Sequence, residues 1–334
     1  MAPPLIITHG EDPDGIIAHA LLMRVFSVDD SRNNLFVRYD RIEDAFLRAV
    51  PTSNGTDRVY IADVDLNPCL RSAGGHEYAL LEQLAGKADV TWFDHHEGTR
   101  EHKDQLNKLG ITVDHDPNKC AALLIARYYE LKDPYDVKLS KIAQAHDYKN
   151  DCKASKNGLL GDQLEKIIAV ANASLDYETL HELSGSLRDG TVFDRKYNLL
   201  PQWQERANEF DVRKEEAFAE LQNSVEVVTL NNYRVLFGQS SSLLSQKPGP
   251  FYLRREFSNA ADIFVCLFKP PVRNHLVLIN DGISFPLIPF LQHMGGGGRG
   301  SGGGFTLDYD ITSKNYEEVK KMILSKMEHY NKSA

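Results

Sequence analysis

The chain has 334 residues, 42% of them hydrophobic and 25% charged, with a formal net charge of −9. That length supports two domains with ordinary cores. The acidic balance argues against a protein that lives on long nucleic acid, which usually meets a broad basic face. A short anionic substrate stays open, because a local pocket with bound cations reverses the sign. The four cysteines, Cys69, Cys120, Cys152 and Cys266, are scattered with no C-x-x-C pair. They fit a reducing cytosol better than a zinc knuckle or a disulfide scaffold. No basic segment followed by a long apolar run opens the chain, and no apolar run approaches a membrane span. A cytoplasmic protein with no membrane partner is expected.

In chain order, residues 5–8 read as a strand and 16–25 as a helix with Ile17, Leu21, Leu22 and Val25 on one face. Residues 35–37 suggest a strand and 42–49 a short helix. Strands follow at 59–62 and 90–93, with a helix at 78–84 between them, then helices at 118–131 and 136–145. Such alternation implies an α/β domain with a mostly parallel sheet covered on both faces. The stretch 186–224 is polar and helical, clearest over 202–222, and is expected to join two domains. Strands are expected at 225–230, 233–237, 263–268 and 275–279. A short helix is expected at 285–294, where Pro286 and Pro289 suit the first turn. A glycine-rich loop over 295–304 follows, with Phe305 opening a strand, and a last helix covers 316–330. The domains are thus drawn at 1–185 and 225–334, the second being a smaller α/β domain, with a helical linker at 186–224.

Three apolar runs end in chemistry-bearing residues. Leu5-Ile6-Ile7-Thr8 leads into His9-Gly10-Glu11-Asp12-Pro13-Asp14-Gly15. Val59-Tyr60-Ile61-Ala62 leads into Asp63-Val64-Asp65, and Val90-Thr91-Trp92-Phe93 into Asp94-His95-His96. In a parallel sheet the ligand site lies outside the carboxyl ends of the strands, so these residues can converge. Neighbouring carboxylates need cations to neutralise them. A mixed oxygen and nitrogen donor set suits Mn²⁺ or Mg²⁺ better than a thiolate zinc site. Two metals roughly 3.5–4 Å apart clamp an in-line displacement at phosphorus. Each run alone has a plainer reading, as a turn, a packing pair or a solvated loop. Three in this order favour a metal-dependent hydrolase.

With its Asp94-His95-His96 tripeptide and its glycine loop, the chain resembles the DHH phosphoesterases that carry a C-terminal DHHA1 domain. The resemblance spans nearly the whole chain. It implies that His9, Asp12 and Asp63 hold one divalent ion. Asp14, Asp63, His95 and Asp147 hold the other, so that Asp63 bridges. Asp151 competes with Asp147 for the last place. His96 is implied to face the scissile phosphate as hydrogen-bond donor or general acid, with Asp94 orienting an imidazole from behind. Asp65 and His146 read as structural. Two divalent ions, Mn²⁺ first and Mg²⁺ second, are the expected cofactors.

The glycine loop reads as a nest of backbone N–H groups for phosphate. Gly296, Gly297, Gly298, Arg299 and Ser301 are the substrate-binding candidates. Where DHHA1 loops commonly end GGGH, this one has Arg299, which can grip a phosphate through two parallel N–H···O bonds. Tyr252, Arg254 and Arg255 are weaker candidates, read as a solvated strand face, with His275 as a strand histidine. His102, His115 and His181 read as surface.

The family acts on long DNA ends, very short RNAs, phosphorylated nucleosides, cyclic dinucleotides and pyrophosphate. With no basic stripe for long single strands, the expectation is hydrolysis of short oligoribonucleotides held between the metal centre and the glycine loop. Dinucleotides such as pGpG are favoured, and nucleoside 5′-monophosphates are the products. The alternative is a phosphatase of 3′-phosphoadenosine 5′-phosphate (pAp), then a broader single-strand exonuclease. A homodimer is left open.

Overall fold

The computed structural model describes residues 3–28, 34–53, 58–148, 155–244 and 248–331, with only the backbone described for Thr52, Arg299 and Asn331. The chain divides into two compact units, Met1–Asn172 with Asp176–Asn208, and Ala173–Leu175 with Glu209–Ala334. The division falls inside one long helix, within the stretch 186–224.

The first unit is built on a five-stranded sheet. Its strands are β1 (Leu5–His9), β2 (Asn34–Val37), β3 (Arg58–Ala62), β4 (Asp89–Asp94) and β5 (Thr112–His115). They lie in the order β2-β1-β3-β4-β5, and every neighbouring pair is parallel. Successive residues of β1 enter opposite cores. Leu5 and Ile7 pack with Val59, Ile61 and Trp92, whereas Ile6 packs with Tyr60, Ala62 and Phe93. A strand buried on both faces needs an unbroken apolar run, and Leu5-Ile6-Ile7 supplies it.

The connecting helices are α1 (Pro13–Phe26), α2 (Ile42–Thr52), α3 (Pro68–Ser72), α4 (Ala79–Ala85) and α5 (Glu97–Lys108). They are followed by α6 (Ala121–Tyr128), α7 (Pro134–Asp147), α8 (Lys156–Ala173), α9 (Tyr177–Asp189) and α10 (Pro201–Asn223). Residues of α1, α6, α7, α8 and α9 fill one core, and those of α2, α3 and α4 the other. Trp203 and Ala207, at the start of α10, belong to the first of these cores.

The α1 helix begins at Pro13, three residues before the apolar periodicity starts. Asp12 caps it by accepting from the Gly15 N–H at 3.1 Å, and Pro13 occupies the first turn, where its missing N–H costs nothing. Gly15 sits so close to the His9 carbonyl that a side chain there would collide with it. This contact packs the helix start onto the end of β1.

The second unit holds a six-stranded mixed sheet in the order β10-β11-β9-β8-β7-β6. Its strands are β6 (Glu226–Leu230), β7 (Tyr233–Ser240), β8 (Ile263–Phe268), β9 (Asn274–Ile279), β10 (Gly297–Arg299) and β11 (Gly302–Thr306). Only β7 and β8 pair in parallel. The helices are α11 (Pro248–Phe257), α12 (Leu287–His293) and α13 (Tyr316–Asn331). Val235, Phe237, Val265 and Val277 form the core with Phe290, Leu291, Ile323 and Met327 of α12 and α13.

Several expectations change. Tyr252, Arg254 and Arg255 lie on α11, not on a strand; the Pro248-Gly249-Pro250 start hides the helical pattern. The glycine-rich stretch is a β-hairpin, not a loop. Gly298 faces Gly303 and Arg299 faces Gly302 across a two-residue turn, with Gly300 at φ 58°. Side chains at Gly298 or Gly303 would strike the facing backbone, so glycine lets these strands close. Among the described residues, no helix is long and apolar enough to cross a membrane.

Candidate metal centre

In the first unit the strand order reverses between β1 and β3, since the chain leaves β1 to form β2 on one side and β3 on the other. A crevice opens at such a switch point, at the carboxyl ends of the strands. His9 is the last residue of β1, and Asp94 the last of β4. Asp63 directly follows β3. Asp12 caps α1, Asp14 stands in its first turn, and His96 precedes α5. Asp147 closes α7. Asp151 lies outside the described residues.

These side chains meet. His9 Nδ1 lies 3.2 Å from Asp12 Oδ2 and 3.5 Å from Asp63 Oδ2. His95 Nε2 lies 3.4 Å from the other Asp63 oxygen, and its Nδ1 is 3.2 Å from Asp147 Oδ2. Three donor groups result, each within 4.8 Å: His9, Asp12 and Asp63; Asp14, His95 and Asp147; and Asp63, Asp94, His95 and His96. Asp14 accepts hydrogen bonds from the N–H groups of Ala121 and Ala122, at 2.7 and 2.9 Å, at the start of α6. Asp63 adopts φ 57°, a left-handed conformation that aspartate tolerates better than most residues. Its N–H donates to the Phe93 carbonyl at 3.0 Å, tying it to β4.

The donors fit a cation. Among the described residues, His9 Nδ1 and Asp63 Oδ2 are buried without a hydrogen bond, an arrangement that is costly unless a ligand compensates it. Burial raises the Asp14 carboxyl well above its usual range, and the Asp63 and Asp147 carboxylates push it further. Burial opposes charge on His95, yet Asp63, Asp14 and Asp147 outweigh it and raise the imidazole to about 12. His9 is likewise raised well above its ordinary value against the pull of burial, by Asp12, Asp63 and Glu11. The site therefore carries an excess of negative charge that divalent ions can neutralise.

Beside these groups, His96 Nδ1 lies 2.7 Å from Asp94 Oδ1. Burial lowers the His96 pKa, but the Asp94 carboxylate more than reverses this and lifts it to about 9. His96 thus holds a proton at neutral pH, on a ring one-third exposed.

The neighbours read as structural are all engaged. Asp65 accepts from the Thr99 N–H at 3.2 Å, and His146 Nε2 is 2.8 Å from Glu165. His275 accepts from the Phe268 N–H inside the second unit's core. The histidines read as surface are half-buried instead. His102 bonds to Tyr78 and Arg71, His115 bonds to the His96 carbonyl, and His181 packs against Phe36. Two residues escaped the sequence reading. Glu11 Oε2 lies 3.3 Å from His9 Nε2, and the Tyr148 hydroxyl lies 2.9 Å from His95 Nδ1. Glu11, an acid lodged between His9 and Asp12, was a readable signal. Tyr148 gave none.

In the second unit, Gly297 and Gly298 lie in β10, Gly296 just precedes it, and Ser301 sits in the hairpin turn. The Ser301 hydroxyl accepts from Arg254 Nη1 at 3.3 Å. The Arg299 side chain lies outside the described residues.

No protein-family model and no curated protein matches the chain. Several solved structures are similar to it. A pGpG-specific phosphodiesterase, PggH from Vibrio cholerae, aligns at 15% identity and a TM-score of 0.48, covering 98% of this chain and 100% of its own. An exopolyphosphatase-related protein from Bacteroides fragilis aligns at 13% identity and a TM-score of 0.46, covering 97% and 92%. RecJ from Thermus thermophilus, in complex with Mg²⁺, aligns at 13% identity and a TM-score of 0.49. That alignment covers 98% of this chain but half of RecJ.

Proposed function

We propose that the protein is a metal-dependent phosphodiesterase that hydrolyses short oligoribonucleotides, dinucleotides such as pGpG foremost, to nucleoside 5′-monophosphates. The observation that carries this reading is the placement of Asp63, one oxygen 3.5 Å from His9 Nδ1 and the other 3.4 Å from His95 Nε2. His9, Asp12 and Asp63 would hold one divalent ion, and Asp14, Asp63, His95 and Asp147 the other. The mixed carboxylate and imidazole set favours Mn²⁺, with Mg²⁺ second. Two such ions would supply charge to the phosphoryl group and acidify the attacking water.

The chain's own contribution is a proton and its placement. His96, held by Asp94, donates a proton to the departing 3′-oxygen. The net charge of −9 supports a short substrate over a long strand. The preference for dinucleotides rests on the motif resemblance. A cytoplasmic setting belongs to the same reading.

The test is turnover of 5′-labelled RNAs two to seven residues long, with pAp alongside, in Mn²⁺. Asp63→Ala and His96→Ala proteins serve as controls. Metal-dependent cleavage that falls sharply beyond the dinucleotide is expected. Equal cleavage at every length would make the protein a general exonuclease. Turnover of pAp alone would make it a mononucleotide phosphatase.

A further inference from the structure

Each histidine beside Asp63 has a residue outside the donor sets on its second ring nitrogen; on His95 that residue shares Nδ1 with Asp147 Oδ2, 3.2 Å away. His9 Nε2 lies 3.3 Å from Glu11 Oε2. An ionised carboxylate only accepts hydrogen bonds, so in the neutral ring that an ion would need, Glu11 keeps the proton on Nε2 and leaves the lone pair on Nδ1, which faces Asp12 and Asp63. His95 is fixed in the opposite sense. The Tyr148 hydroxyl donates its single proton to the Pro117 carbonyl at 2.9 Å, so it accepts from His95 Nδ1. In the neutral ring, His95 Nε2, facing Asp63 Oδ1, is then the nitrogen left with the lone pair.

Glu11 is itself held. The Tyr39 N–H donates to Glu11 Oε2 at 3.2 Å, and Arg38 Nη2 lies 3.9 Å from Glu11 Oε1. Arg38 is 1% exposed, an arginine buried at a cost that only good partners offset. It meets Asp40 through two bonds of 3.1 Å and donates to the Asn172 carbonyl at 3.1 Å. Asn172 in turn donates to the Gly10 carbonyl at 2.8 Å. The end of β1, the end of β2 and α8 are thereby clipped together around Glu11. Such a clip fixes one side chain in one place, which is what a residue orienting a ligand needs.

We propose that Glu11 and Tyr148 are positioning residues. Each fixes the tautomer and aim of one histidine, Glu11 that of His9 and Tyr148 that of His95, so that the two imidazole lone pairs converge on either side of Asp63. The inference rests on the metal-dependent reading above and goes beyond it by assigning the outer partners. It predicts that the two residues act on different ion sites.

The test is divalent-ion binding rather than turnover. Mn²⁺ is titrated calorimetrically into wild type, Glu11→Ala, Glu11→Gln and Tyr148→Phe, and the visible absorption of Co²⁺-loaded protein is recorded. Thermal melting shows that each variant is folded. Glu11→Ala should weaken one site by about 10- to 100-fold, the usual effect of losing an outer partner. Glu11→Gln, whose amide oxygen still accepts from Nε2–H, should recover most of that loss. Tyr148→Phe should weaken the other site and perturb a different part of the Co²⁺ spectrum. Folded Glu11→Gln and Tyr148→Phe proteins with unchanged spectra, beside a folded Glu11→Ala protein of wild-type affinity, would overturn the proposal and leave the function intact. A wild type that binds no divalent ion would remove both.

Discussion

The Asp94 carboxylate is fully buried behind His96, with Oδ1 2.7 Å from Nδ1 of an imidazole that is one-third exposed. The pair gives His96 a fixed orientation and a pKa near 9, because the Asp94 charge outweighs burial. A general acid works while protonated, so kcat should hold below that pKa and fall as pH rises through it. Asp94→Asn removes the charge and should move this limb to lower pH, toward the ordinary histidine value of about 6.5. His96→Ala should lower kcat by about 10²- to 10⁴-fold. Paired pH–rate profiles check both; a limb that stays in place in Asp94→Asn would show that His96 is not its source.

Asp63 turns one oxygen toward His9 and the other toward His95, and adopts φ 57°. Asparagine tolerates that backbone conformation, so Asp63→Asn tests the charge while sparing the backbone. Stoichiometry measured by calorimetry should fall from two Mn²⁺ per chain, with turnover lost and the melting temperature of the ion-free protein kept or raised. Two ions bound with wild-type affinity would mean that Asp63 does not bridge.

Gly15 has no room for a side chain because the His9 carbonyl lies against it. Gly15→Ala should push the start of α1 off β1, at a cost of about 1–3 kcal/mol from overpacking. Asp12 and Asp14 lie just before Gly15 in the chain, so ion affinity should drop with stability. Urea unfolding and Mn²⁺ titration of the same preparation would reveal the coupling. A stable variant with normal ion binding would contradict it.

His19 is wholly buried, with Nδ1 2.6 Å from the Ser184 hydroxyl, and burial pulls its pKa down to about 3. Its folded pKa lies below its unfolded value of about 6.5. Between the two, the unfolded chain takes up a proton that the native state refuses, so stability falls as pH falls. From pH 6.5 to 5 the loss from this residue should be about 2 kcal/mol. Urea midpoints across that range, compared with His19→Gln, should show a slope steeper by one proton in the parent. Equal slopes would place the sensitivity elsewhere.

His9, Asp12, Asp14, Asp63 and His95 were legible because each stands at or just beyond the end of a strand that its own apolar run announces, whereas Asp147 closes a helix and came only from the motif resemblance. Leu5-Ile6-Ile7 and Val59-Tyr60-Ile61 are buried on both faces, so their sequence is unambiguous. Elements with weak apolar signals were missed. In α5 only Thr99 and Leu106 are buried, and β5 is a four-residue edge strand. The hairpin read as a loop because glycine carries no periodicity. Its strand character comes from pairing with β9.

By itself the sequence determined the alternation of strands and helices and the clustering of carboxylates and imidazoles at strand ends. These signals act over a few neighbours, through side-chain alternation and local hydrogen bonds. Tertiary structure alone decided how those residues meet. Asp14 finds its N–H donors 107 and 108 residues away, and Tyr148 reaches His95 across 53. The strand reversal between β1 and β3 sets Asp63 between His9 and His95. Such contacts depend on which elements pack together, and the packing is fixed by the burial of whole faces rather than by any short stretch of chain.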